Sequence, residues 1–170
     1  MNGLQIVLRL IHILGGVFWV GAMIFNAAFL FPAIRDAGPD GGKVAAGIMK
    51  RGFPVITPII ALTTILSGLW LLSRASMGFS SVYMKSGPGM AYSIGAAGAL
   101  VALLIGLTVT RPAMMRSMAQ QQAAATATGA ERDAALASAQ AGRARAGSSG
   151  NVVAVLLVIA AAAMAVGRYV

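Results

Sequence analysis

The sequence predicts an all-α polytopic membrane protein, a four-transmembrane-helix bundle with a cytoplasmic helical extension between the third and fourth helices. Three observations predict it. Of 170 residues, 58% are hydrophobic and only 10% charged, whereas a soluble domain carries about 25% charged residues. Four long apolar stretches stand apart, three of them near the ~20 residues a helix needs to cross hydrocarbon and the first, of about thirty, longer than that. Basic residues gather between those stretches, so the formal charge of +9 reads as membrane topology rather than nucleic-acid binding. Abundant Ala, Leu and Gly without apolar–polar alternation argue against a β-barrel, whose strands alternate over ~10 residues. The chain reads as one membrane domain, residues 1–170, with spans at 4–34, 54–72, 90–110 and 151–167 and a cytoplasmic connection at 111–150.

The first span is apolar almost throughout, yet it contains Arg9, His12, Trp19 and Asn26, each costly in lipid unless it faces protein or water. His12, Trp19 and Asn26 recur every seven residues and share a helix face, which Arg9, Gly16 and Met23 join by steps of three and four. Gly15, Gly16 and Gly21 remove bulk nearby, allowing another helix or a flat ligand to approach closely. This face is expected to turn inward, towards Thr63, Ser67 and Trp70 of the second span, or towards a partner chain. Residues 1–7 lack a basic stretch, and the apolar run far exceeds a signal-peptide core, so the segment is expected to stay as a membrane helix.

A turn-rich break at 35–42 follows, then a short amphipathic helix over 43–53 with Val44, Ile48 and Phe53 roughly to one side. Pro54 suits the start of the second span, where Thr63, Ser67, Trp70 and Arg74 form a polar stripe. Such hydroxyls commonly bond the carbonyl four residues back. Residues 73–89 read as a loop with Gly78, Gly87 and Gly89. In the third span, small residues spaced by four around Gly95 and Gly98 favour close helix packing. Residues 112–128 and 130–143 are rich in the helix formers Ala and Gln and read as helices leaving the membrane, bent near Gly129. Residues 147–150 read as a flexible hinge into the fourth span.

The two connections expected on one side carry nine basic residues: Arg35, Lys43, Lys50, Arg51, Arg111, Arg116, Arg132, Arg143 and Arg145. The other side carries Arg9, Arg74, Lys85 and Arg168. The asymmetry places the first set in the cytoplasm and both termini in the periplasm of a bacterial inner membrane.

His12, the one histidine, has two readings. As an axial haem b ligand it would need a methionine or a second copy's histidine, with Trp19 and Met23 beside the cofactor. As a bundle residue it would hydrogen-bond a neighbouring helix. Copper is a weaker candidate at His12 or among clustered methionines (Met77, Met84 and Met90; Met114, Met115 and Met118), because thioethers select Cu(I) but also simply fill gaps. No cysteine is present and the four acids all lie in connections. No nucleophile–base pair exists, no catalytic residue is assigned, and the sequence points away from an enzyme.

His12, Trp19 and Gly21, within HILGGVFWVGAMIF and followed by Pro32, resemble the opening helix of the CopD-like copper-resistance membrane domain and its small uncharacterised relatives. A more distant similarity is to HemJ-type protoporphyrinogen oxidases. The resemblance implies a four-helix membrane protein with a haem or copper role through His12. The third span, however, has no Lys, Arg, Asp or Glu where HemJ-type enzymes carry a lysine. The alternative is a non-catalytic accessory subunit of a respiratory, photosynthetic or transport complex, with the bilayer and other membrane subunits or a second copy as partners.

Overall fold

The computed structural model describes residues 2–38 and 41–170; Pro39 and Asp40, in the expected break, lie outside the described residues. Among the described residues all regular structure is helical. Four helices are long and apolar enough to cross a membrane: α1 (Gly3–Asp36), α3 (Phe53–Ala75), α5 (Gly87–Thr126) and α6 (Gly129–Val166). The short helices α2 (Gly41–Lys50) and α4 (Ser81–Met84) lie in the first two connections. Around the bundle the order is α1, α3, α5, α6, and α6 closes it by packing against α1.

The helix starts follow local chemistry. The Asn2 side chain accepts from the Gln5 N–H at 3.0 Å, and the Ser86 hydroxyl accepts from the Gly89 N–H at 3.3 Å, so each satisfies a donor orphaned at a helix start. Pro54 and Pro88 occupy first-turn positions, where a missing N–H is harmless.

Trp19, Ala61, Ile65, Ala102, Val153 and Leu157 form the core, with all four long helices contributing. Lipid removes the hydrophobic force between spans, so close packing has to hold them. Gly95 and Gly98 do this as expected. A Cβ on Gly95 would lie 2.7 Å from the Met164 Cγ, and one on Gly98 would lie 3.4 Å from the Leu156 carbonyl oxygen. Gly21 does not. Its Cβ would meet nothing within 4 Å, because two residues beyond Trp19 is 200° around the helix, away from the packed face.

At ~1.5 Å per residue, the 40 residues of α5 and 38 of α6 span nearly 60 Å, against ~30 Å of hydrocarbon. The surplus pairs as an antiparallel hairpin turning at residues 127 and 128, with Gly129 at φ +55°. Ala113, Ser117 and Ala124 of α5 and Ala135, Ala139 and Ala146 of α6 are buried in its seam, and the Ser117 hydroxyl donates to the Ala139 carbonyl at 2.7 Å. The expected hinge at 147–150 is absent, since α6 runs through it unbroken. Glycine costs a helix about 1 kcal/mol, but here packing offsets it. Gly150 is buried, with the Phe31 ring 3.4 Å from where its Cβ would be.

Two helices are locally widened. α1 has a π turn at Asn26–Leu30 and α5 another at Gly106–Thr110. In both, a proline follows two residues after the turn: Pro32 and Pro112. Proline lacks an N–H and crowds the carbonyl four residues back, and a π turn absorbs that conflict. α3 carries Pro58 in its interior. All three irregularities border one space.

Candidate functional site: a cavity between the long helices

The polar face of α1 turns inward, as expected, from His12 onward. Trp19 and Asn26 are buried and His12, Gly16 and Met23 half-buried, while Arg9 stays exposed. Near the end of a span a long arginine can reach the surface. What this face meets on α3 differs by one position from the expectation. Thr63 is exposed, whereas Ser67 is buried as expected and Trp70 half-buried, and the buried face of α3 also takes in Thr57, Ala61, Thr64, Ile65 and Leu72.

His12 donates from Nδ1 to the Thr64 carbonyl at 2.8 Å; the proton sits on Nδ1 because a carbonyl can only accept. Its ring lies on Gly68, where a Cβ would come within 2.5 Å of Cε1 and 2.8 Å of Nδ1. Gly15 is packed against the Thr64 side chain from the α1 side. Thr64 and Gly68 thus form a small-xxx-small pair that lets α1 approach. That spacing was readable in the sequence, but only once α1 was known to be the neighbour.

This geometry suits a structural histidine better than a haem ligand. An Nδ1–H held by a carbonyl is how ligating imidazoles are often oriented, but here the ring is also packed against the backbone of Gly68 on α3. Met23 lies eleven residues along α1, about 16 Å by helical rise, too far to share one iron with His12. The residues do not fit a haem held between His12 and Met23. Among the described residues, no group of three His, Cys, Asp or Glu could hold a metal ion. Met77, in the connection after α3, and Met90, in the first turn of α5, are exposed.

Trp19 and Met23 instead line a different feature, a cavity of about 150 Å³ between the four long helices, roofed by α2. Its wall is apolar, including Phe31, Ile48, Leu103 and Val153. The proline-linked irregularities of three helices meet here: Asn26 and Leu30 from one π turn, Gly106 and Thr110 from the other, and Pro58 itself. Pro58 also deprives the Pro54 carbonyl of its helical donor.

Two buried polar side chains line this apolar space. Asn26 is 6% exposed and lines the space beside Trp19 and Met23 of the same helix face. Thr57 is 8% exposed, and its Oγ1 has no partner. The contrast within α3 matters: the hydroxyls of Thr63, Thr64 and Ser67 all donate to backbone carbonyls at 2.7 to 3.0 Å, as expected for that span. Thr57 alone among the α3 threonines does not. Arg111 stands exposed at the rim. Asn26 was visible in the sequence as part of the α1 stripe. Thr57 was not singled out, although its place just before Pro58 was a signal.

Comparison with protein-family models, with curated proteins and with solved structures finds no match to this chain.

Proposed function

We propose that this multi-pass protein resides in a bacterial inner membrane and holds a lipophilic ligand with a hydrogen-bonding group in the cavity between its spans. The observation that supports this most is the Thr57 hydroxyl, buried and unbonded in a cavity that the buried Asn26 also lines. A buried polar group left unsatisfied costs about 1 to 3 kcal/mol. A guest supplying the missing partner regains that while burying its own apolar surface. Lipophilic-ligand sites commonly combine an apolar wall with a few polar groups that fix orientation. The basic asymmetry supports a cavity in the cytoplasmic half, below the helical hairpin, with both termini periplasmic. The reading holds equally for a chain working alone or as a subunit of a larger assembly.

Purification in mild detergent, solvent extraction and mass spectrometry test it. A lipophile should be enriched over bulk lipid and lost from Ala102→Phe, which fills the cavity from a position with no exposure. Thr57→Val preserves shape and should lower occupancy while leaving the protein folded. Identical bulk-lipid extracts from all three proteins would overturn the proposal. The purified protein should also show no Soret band; a band abolished by His12→Ala would replace this reading with haem at His12.

A further inference from the structure

We infer that the guest is a single ring carrying a carbonyl or hydroxyl oxygen, the chemistry of a lipid-soluble quinone or quinol. This rests on the ligand-binding reading above and narrows it. Size comes first. A cavity of roughly 150 Å³ holds a benzene-sized ring, and the chamber here is about 150 Å³.

The polar complement comes second. Thr57 offers one hydroxyl donor, and Asn26 offers two amide donors and one acceptor. All are neutral, and the one charged side chain of the lining, Arg111, is at the exposed rim. A carboxylate or phosphate driven inward would be stranded without a counter-charge, at heavy cost. A ring oxygen instead accepts from the Thr57 hydroxyl and the Asn26 amide without carrying charge inside. Trp19 and Phe31 in the wall offer aromatic faces suited to offset or edge contact with such a ring.

A tail has a way out. A second space of about 350 Å³ adjoins the first and shares Met49, Pro54, Arg111 and Met115 with it; Val55 and Met118 continue its apolar side. Methionine adapts its shape to a passing chain. The ring would therefore sit deep, with the tail leaving between the start of α3 and the extension of α5.

Trp19 supplies the assay, since the chain has two tryptophans and Trp19 lines the cavity. Trp70→Phe leaves Trp19 as the only one and keeps an aromatic face near Arg74, whose guanidinium lies 5.8 Å from the Trp70 ring. Titration of that detergent-solubilised full chain with decylubiquinone should quench Trp19 saturably. Asn26→Leu and Thr57→Val should each weaken the midpoint about tenfold. Oleate and decanol should compete at least ten times more weakly than decylubiquinone. The wild type, followed by thermal shift, should rank the three ligands in the same order, which guards against a variant that fails to fold.

Equal competition by oleate or decanol would overturn the ring assignment and leave the lipophilic-ligand reading standing. Equal quenching in Asn26→Leu and Thr57→Val would also overturn the assignment. No response to any of the three, together with an empty extract, would overturn both.

Discussion

Gly68 and His12 meet so closely that a change in one alters what the other can tolerate. Adding a methyl at Gly68 puts a carbon 2.5 Å from the imidazole Cε1, closer than van der Waals contact allows. Gly68→Ala should therefore lower stability by about 1 to 3 kcal/mol, the usual range for overpacking, read as a lower melting temperature in detergent. His12→Ala alone should cost about 0.6 kcal/mol, the average for a hydrogen bond between membrane helices, plus some lost packing. The double variant should be more stable than Gly68→Ala alone, because removing the ring removes the clash. Strict additivity of the two changes would mean that the contact does not couple them. Thr57 behaves differently. In protein stripped of any ligand, Thr57→Val should melt at the same temperature or slightly higher, since the hydroxyl has no partner to lose.

Between α5 and α6, small residues decide how close two elements can come. Within the hairpin a Cβ on Gly142 would lie 3.0 Å from the Ser117 Cβ and 3.1 Å from the Ala113 carbonyl oxygen. Gly142→Leu should prise the two arms apart and break the Ser117–Ala139 hydrogen bond. Limited trypsin digestion should then cut faster at Arg132 and Arg143, while the membrane-embedded part stays protected. An unchanged digestion rate would mean that the seam does not hold the arms together. The π turns follow the same logic from the other direction: Pro32 and Pro112 each accompany a widened turn, and residues of both turns border the cavity.

For the whole molecule, helix length and basic residues set the disposition. α5 and α6 overrun the hydrocarbon at one end, and nine of the thirteen basic residues lie in the two connections at that end. A reporter fused after Val170 should be active in the periplasm, and one inserted at Gly129, in the hairpin turn, should be active in the cytoplasm. The reverse pattern would invert the orientation and place the cavity in the outer leaflet. The outward faces of the bundle are apolar, as at Leu14 (65% exposed) and Val17 (68% exposed), which suits lipid and would be an aggregation hazard in water.

Much of this was legible from residue types alone. Apolar runs near twenty residues specify spans because the bilayer has one thickness. The Ala-Gln run at 112–128 specifies helix because those side chains lose little on helix formation. The seven-residue spacing of His12, Trp19 and Asn26 specifies an inward face because a helix has one period. Distance across the bundle was not legible. Which α3 residue meets His12 depends on the rotation and axial offset of two packed helices, and a single residue of error exchanged Thr63 for Thr64 and hid Gly68. The continuity of α6 through residues 147–150 likewise came from Phe31 on another helix, which holds Gly150 in place. The cavity exists only where Pro32, Pro58 and Pro112, far apart in sequence, disturb three helices at one level of the bundle. Each proline was visible as a local break. Their convergence on Asn26 and Thr57 depended on the tertiary structure, because it is set by packing between elements rather than by any local preference.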